Sequence, residues 1–336
     1  MALTPLEAVR SDSTPLASPD APAAKKIAGR SPSRIAFDRL RADKVAVGCT
    51  AIVLFFILVG IFAPLICKIF GVELRETPGA EALNIFTGYA LIGPPEHSFT
   101  WEAPLGLQPG TGNDLLAEWV YGARTSLEVA TIATVTTTIV GVVVGLIAGF
   151  ARGWLDRIIS FILDLFLSFP FLLGALTLAP IIVNRYATDE GKLDRAQFFS
   201  LIFVLTFFGW MGLARLVRGE VLSLREREFV QAARIIGVPT RSILFRELLP
   251  NLVAPIVVSI SLGLPAFVTA EAGLAYLGIG LTSRPSWGQT ISRAIPYFQD
   301  YWLYLWAPVL GVMLLVLALN LLGDSVRDAF DPKTRR

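Results

Sequence analysis

Long uncharged stretches alternate with shorter charged ones along this chain of 336 residues. Six windows of at least 19 residues contain no Asp, Glu, Lys or Arg, namely 45–67, 129–151, 165–184, 196–214, 248–270 and 301–323. A helix that crosses a hydrocarbon core of about 30 Å needs roughly 20 predominantly apolar residues. The pattern therefore predicts an all-α, polytopic membrane protein with six transmembrane helices.

The distribution of basic residues predicts the orientation of these helices. Of the 29 Lys and Arg residues, 21 fall in four of the segments between windows, namely 1–44, 152–164, 215–247 and 324–336. The other three segments have nearly the same total length and hold the remaining 8. Because basic residues concentrate on the cytoplasmic side of membrane proteins, we expect both the N- and the C-terminus in the cytoplasm.

The same pattern divides the chain into five parts. Residues 1–33 are rich in Ala, Ser and Pro and lack an apolar core, which predicts a disordered cytoplasmic tail. The parts that follow are an interfacial helix with the first transmembrane helix (34–67), an extracytoplasmic loop (68–124), a core of five transmembrane helices (125–323) and a cytoplasmic tail (324–336). The outer loop is too long to be only a connection.

The polar insert at 215–250 has its own periodicity. Apolar residues follow a helical pattern from Phe229 to Ile236, Gly237 interrupts it, and a second pattern runs from Ile243 to Pro250. This predicts two short amphipathic helices joined by a turn at Gly237. Such a pair either lies flat on a membrane surface or fits a groove in a partner protein.

The residues of this insert also carry a resemblance. The run Glu228-Phe229-Val230-Gln231-Ala232-Ala233, with Gly237 four residues later and Leu249-Pro250-Asn251 beyond it, resembles the coupling loop of ABC importer permeases. The resemblance implies a cytoplasmic loop that docks into a groove of an ATP-hydrolysing subunit. The residues it proposes for this contact are Glu228, Phe229, Ala232, Ala233, Gly237, Arg246 and Pro250, with Glu228 and Arg246 as candidates for ion pairs across the interface.

Further segments resemble the C-type subunit of dipeptide and oligopeptide importers, a type I ABC importer permease. They are Tyr121–Leu127, Asp164–Pro170, Glu271–Gly280, Pro285-Ser286-Trp287-Gly288 and Gly323–Pro332. At Gly112-Asn113-Asp114 the chain departs from the Gly-Thr-Asp of that family. The resemblance implies a permease subunit in the bacterial cytoplasmic membrane, acting with a second homologous permease, two ATPases that bind ATP and Mg, and an extracytoplasmic solute-binding protein that delivers di- or oligopeptides. Nickel chelates or peptide-like compounds remain alternatives, as does a membrane scaffold that recruits a cytosolic partner.

Glycines recur at every fourth position in the second window, at Gly141, Gly145, Gly149 and Gly153. Small residues on one helical face allow close approach of a neighbouring helix in lipid. The spacing predicts a packing face, which we assign to contact with the second permease subunit.

Three residues at other membrane positions are candidates for the translocation path or for structural roles. Pro170 predicts a bend in the third span, and Asp164 is expected at the cytoplasmic end of that span. Glu271 is expected at the outer end of the fifth span. It either contacts the solute or accepts hydrogen bonds from backbone N–H groups freed by a helix break near Pro265 and Gly273.

The sequence argues against catalysis within this chain. The pair Gly191-Lys192 is followed by Leu193, so no P-loop is present, and His97 is the sole histidine. We therefore expect no cofactor, no metal site and no nucleic-acid partner for a non-catalytic permease subunit. The energy for uphill transport would come from the ATPase partners.

Overall fold

A computed structural model describes residues 32–72, 74, 82–84, 86–95, 97–186 and 189–331. The predicted tail at 1–33 and the last five residues of the predicted tail at 324–336 lie almost entirely outside this part. Twelve α-helices form the described part, together with isolated β-bridges. They are α1 (Pro32–Ala42), α2 (Lys44–Ile61), α3 (Ala63–Phe70), α4 (Leu115–Phe150), α5 (Trp154–Leu167), α6 (Phe171–Asn184), α7 (Glu190–Leu224), α8 (Glu228–Ile235), α9 (Thr240–Ser242), α10 (Val253–Tyr276), α11 (Trp287–Ala294) and α12 (Trp302–Phe330).

Five helical rods in the described part are long and apolar enough to cross a membrane: α2, α4, the body of α7, α9 to α10 as one rod, and α12. The pair α5 and α6, which is bent by 91°, is together long and apolar enough to form either a sixth, broken span or a re-entrant loop. The bend lies at Ser168–Pro170, where Pro170 begins α6. The predicted bend at Pro170 is therefore confirmed.

The contacts of this bent pair along α7 show that it is one span. Arg218 of α7 binds Asp156, Arg215 binds Asp164, Phe208 packs beside Gly174, and the Ser200 hydroxyl donates to the Ala179 carbonyl at 3.3 Å. The contact positions thus move in one direction along α7 over 18 residues, or about 27 Å of helix. A re-entrant loop would turn back along α7. The six predicted spans are present.

Several helices extend beyond the charge-free windows that predicted them. α4 has 36 residues and begins at Leu115, because the Asp114 carboxylate accepts the Ala117 N–H at 2.8 Å and caps the helix. The predicted loop at 68–124 therefore ends about ten residues too late. α7 runs on to Leu224, into the predicted coupling loop, and α12 runs on to Phe330, into the predicted tail.

The glycine face of α4 packs against α7 of the same chain. A Cβ added at Gly141, Gly145 or Gly149 would lie 2.6–2.9 Å from the nearest atom of α7. The predicted packing face is confirmed, but its assignment to a second permease subunit is wrong. Gly153 does not belong to the face, because it lies beyond the end of α4 and a Cβ there would meet nothing within 4 Å.

The first and last helices close the bundle at the end where α8 lies, which we call the α8 end. Arg39 of α1 donates to the carbonyl oxygens of Ala329 and Asp331 at 3.1 and 3.2 Å. The Ser325 hydroxyl donates to Asp43 at 2.8 Å, and Asp43 also caps α2. Next to this clasp, buried residues of α2 and α12 share one apolar cluster.

The described residues between 82 and 114 form a cap over the opposite end of the bundle, the cap end. The Tyr89 hydroxyl donates to Asp300 at 2.7 Å, and the Tyr301 hydroxyl accepts the Ala90 N–H at 2.9 Å. Leu107 of the cap and Tyr304 of α12 are buried in one shared apolar cluster. The cap is therefore a packed structure that is attached to the segment leading into α12.

Candidate functional site

Helix α8 presents two different faces at the end of the bundle. Val230 is fully buried and packs in a cluster with Val221, Ile243 and Leu248. At the other side of the helix, Ile235 and its neighbour Ile236 are 86% and 80% exposed. An apolar tip on a helix whose opposite face is fixed in the core is suited to docking against another protein.

Two arginines fix α8 and its approach to the end of α4. Arg225 donates to the carbonyl oxygens of Gly149 and Ala151 at 2.9 and 3.3 Å. A positive charge at these carbonyls complements the dipole of α4 at its C-terminus. Arg234 of α8 lies over the Phe150 ring, with its Cζ 4.4 Å from the ring centroid. Movement of α8 is therefore linked to α4 by direct contacts.

The turn predicted at Gly237 has a defined geometry. Gly237 has φ +84°, and its N–H donates to the Arg234 carbonyl at 3.0 Å. The Val238 N–H donates to the Ala233 carbonyl, also at 3.0 Å. This is the Schellman arrangement that ends a helix with a left-handed residue, and glycine adopts that conformation at little cost.

The second short helix of the predicted pair is not a separate helix. α9, a π-helical turn at Ile243–Leu248 and a 3-10 turn at Leu249–Leu252 lead directly into α10. Pro250 therefore lies inside a continuous rod instead of ending a helix. The wider π turn before it relieves the missing N–H and the crowding that proline causes.

The residues predicted for coupling do not all face outward. Those with exposed positions are Glu228, Phe229, Ala232, Gly237, Arg246 and Pro250. Ala233 is partly buried and packs against the cluster that holds α8. Ile235 and Ile236, the most exposed apolar residues of this segment, were not among the predicted contacts, although their position just before Gly237 places them at the turn.

A groove of about 490 Å³ lies between α4, α6, α7 and α10. Its wall includes Thr134, Thr137 and Thr138 of α4, Phe171 beside the bend, and Gly212 of α7. Ionisable residues are absent from its lining within the described chain. The groove thus offers hydroxyl groups and apolar surface, next to the point where the third span changes direction.

Glu271 occupies a closed position instead of the groove. Its side chain is 0% exposed, and neither carboxylate oxygen has a hydrogen-bond partner within the described part of the chain. The hydroxyl groups of Ser126 and Ser286 are its polar neighbours. α10 continues unbroken to Tyr276, so the predicted backbone donors from a helix break are not its partners.

The bent span carries acidic residues that pair with α7. Asp164 is exposed and binds Arg215, while Asp156 accepts two hydrogen bonds from Arg218 at 2.7 and 3.1 Å. Arg215, Arg218 and Asp156 were not among the site residues predicted from the sequence. The signal was present, since two arginines three residues apart lie on one helical face at the end of an apolar window.

Comparisons with known proteins agree with this architecture. Residues 141–336 match the model of the family described as binding-protein-dependent transport system inner membrane component, and residues 31–70 match the N-terminal TM domain of oligopeptide transport permease C. The chain is 35% identical to the dipeptide transport system permease protein DppC of Alkalihalophilus pseudofirmus, over 91% of each protein. It is 30% identical to the oligopeptide transport system permease protein OppC of Bacillus subtilis, over 93% of this chain and 94% of that protein.

A structural comparison supports the fold. A permease chain of the MetNI methionine ABC transporter, solved in an inward-facing conformation, superposes with a TM-score of 0.51 at 20% identity. The match covers 64% of this chain and 96% of that chain. The bundle therefore has the fold of a type I ABC importer permease.

Together these observations define a multi-pass protein of the bacterial inner membrane, of the permease class that works with ATPase subunits. The chain belongs to the family of binding-protein-dependent transport system inner membrane components. The resemblance noted in the sequence is confirmed.

Proposed function

We propose that this chain is a permease subunit of an ATP-driven importer for dipeptides or oligopeptides. The names of its relatives support the substrate class. The chain would pair with a second homologous permease and with two ATPases, which bind ATP and Mg, and would receive peptide from an extracytoplasmic binding protein. It would contribute no catalytic group of its own.

The observation that carries this proposal is the exposed apolar tip at Ile235 and Ile236. Its opposite face is fixed to the bundle through Val230, and Arg225 ties the segment to the end of α4. When ATP closes the ATPase pair, the docked α8 would move with it and shift α4 and α7. The bundle would then alternate between inward and outward openings.

We propose an orientation with the α8 end in the cytoplasm and the cap outside. The excess of Lys and Arg on the α8 side supports it. The clasp between α1 and the end of α12 is consistent with it, since both helices reach the same end of the bundle. Cysteine labelling from outside intact cells tests it, with reaction expected at Phe86→Cys in the cap and none at Ile236→Cys.

The coupling role is tested with Ile236→Asp. A carboxylate in a packed apolar contact lacks a partner and costs several kcal/mol, so recovery of the ATPase with the purified permease should fall at least tenfold. Ile236→Val is the matched control, because it keeps the apolar tip and should retain the ATPase. Normal ATPase recovery and normal uptake with Ile236→Asp would contradict the coupling role of α8.

The groove is proposed as this chain's wall of the translocation path. Gly212→Leu tests it, because a Cβ at Gly212 meets nothing within 4 Å and the larger side chain enters the groove without a backbone clash. Gly219→Leu on the same helix is the control, since it is equally open but lies outside the groove. Uptake of labelled peptide should fall with the first variant only. Uptake of nickel chelates in place of peptides would show that the proposed substrate class is wrong, but it would not contradict the proposed coupling role of α8.

A further inference from the structure

An exposed apolar stripe continues past the end of the first span. On α2 it includes Leu54, Leu58 and Ile61, and on α3 it includes Leu65 and Ile69, with steps of three or four residues throughout. The Phe62 N–H donates to Leu58 and the Ile66 N–H donates to Phe62, so helical hydrogen bonding passes through the junction between the helices. The exposed apolar surface of α2 therefore extends without interruption onto α3.

The cap adds aromatic residues at the end of this stripe. The Trp101 ring stacks on Phe70 with centroids 5.7 Å apart, and Phe99 meets Trp101 edge-on at 5.5 Å. We call these three residues the aromatic corner. Trp101 remains 68% exposed and Phe99 58% exposed, although large aromatic side chains are usually covered in proteins.

The length of the helices gives the depth of the aromatic corner. From Lys44 to Phe70 the helical path measures about 39 Å at 1.5 Å per residue. With the average tilt of about 20°, it rises about 37 Å along the membrane normal. With Lys44 placed at the α8-side edge of the hydrocarbon core, the core takes up about 30 Å of this rise, and Phe70 lies about 7 Å beyond it, in the headgroup layer. This is the depth at which Trp side chains concentrate in membrane proteins.

We infer that the aromatic corner and the exposed face of α3 are inserted into the lipid interface on the cap side of the membrane. The cap then rests on phospholipid at this corner. The Trp101 ring buries apolar surface near the acyl chains and keeps its N–H near the headgroups. Lys68 is also exposed on α3, where its ammonium can reach lipid phosphates while its stem follows the apolar surface. The inference does not depend on the transported solute.

Spin labels on single introduced cysteines test this contact. The full chain, purified with its bound partner chains, is reconstituted into nanodiscs of phosphatidylethanolamine and phosphatidylglycerol, and collisions with oxygen and with a water-soluble nickel chelate are measured. The test site is Trp101→Cys. The aqueous control is Phe86→Cys, a cap residue that is 97% exposed, and the membrane reference is Leu58→Cys. Cys49 and Cys67 are buried, and the unmodified chain gives their background labelling.

We expect the ratio of oxygen to nickel collisions at position 101 to exceed that at position 86 by at least threefold and to approach that at position 58. A ratio at position 101 equal to that at position 86 would overturn the inference, because the corner would face water. Protection from both reagents would also overturn it, because a protein would cover the corner. A label at Phe99→Cys provides a second position if Trp101→Cys does not fold.

Discussion

Adding one methyl group at Gly145 tests the packing of α4 on α7. The new Cβ would lie 2.7 Å from the Ala214 carbonyl oxygen and 2.7 Å from the Val217 Cβ. Ordinary contacts of this kind are about 0.7 Å longer, and neither atom is at the end of a flexible side chain. The helices must separate, which costs about 1–3 kcal/mol in overpacking and weakened dispersion contacts.

The matched control for this substitution is Gly219→Ala. At Gly219 a Cβ meets nothing within 4 Å, so the substitution brings only the gain of about 1 kcal/mol in helix propensity. Gly145→Ala receives the same gain and also the packing cost. The difference in unfolding free energy between the two variants should therefore equal the packing cost and be about 2 kcal/mol.

Equilibrium unfolding in detergent micelles by titration with sodium dodecyl sulfate measures this difference. The unsubstituted chain should lie between the two variants. Because the face is internal, a second permease chain should co-purify with Gly145→Ala at its normal ratio to folded protein. Equal stability of the two variants, or a loss of the second permease without a loss of stability, would refute the reasoning.

Three further perturbations follow from the described contacts. Burial raises the pKa of Asp114 to about 6, so the folded state binds its proton more tightly than the unfolded state. The stability of the cap should therefore fall as the pH rises from about 4 to about 6. Hydrogen exchange of cap amides should show this loss of stability in the unsubstituted protein. In Asp114→Asn the loss over the same pH range should be smaller by up to about 3 kcal/mol. Arg218→Gln leaves Asp156 without its paired hydrogen bonds and should lower the unfolding free energy by about 1–3 kcal/mol, whereas a double variant with Asp156→Asn should recover part of the loss. Gly237→Ala must adopt φ +84° and should destabilise the turn after α8 by about 1 kcal/mol, seen as faster proteolysis there, with Gly219→Ala unchanged.

The hydrophobic pattern predicted which segments cross the membrane but not where their helices end. A charge-free window ends where the chain meets polar surroundings, whereas a helix continues as long as its backbone hydrogen bonds can form. α4 continues to its cap at Asp114, and α7 continues through Arg215 and Arg218, whose side chains bind the bent span. Pro170 was predictable because proline acts through the local backbone.

The partners across each surface were less predictable. The spacing of Gly141, Gly145 and Gly149 identifies one side of a helix, but it contains no information on which helix lies opposite. The coupling segment illustrates the same limit, because helical periodicity is equal on both sides of Gly237 while only α8 is a separate helix. The burial of Glu271 depends on three elements that meet in the fold, α4, α10 and the start of α11, which no local pattern brings together.

The clasp between the two ends of the described chain has a consequence for biosynthesis. Arg39 and the buried side of α2 find their partners on α12, which is translated almost 300 residues later. During insertion the first span can pack against α4 once that helix is made, but the part of its buried side that meets α12 must stay uncovered until the end of synthesis. Assembly of the bundle is completed only when the last helix leaves the ribosome, so a chain that stops before α12 would present a first helix without its α12 contacts to quality-control proteases.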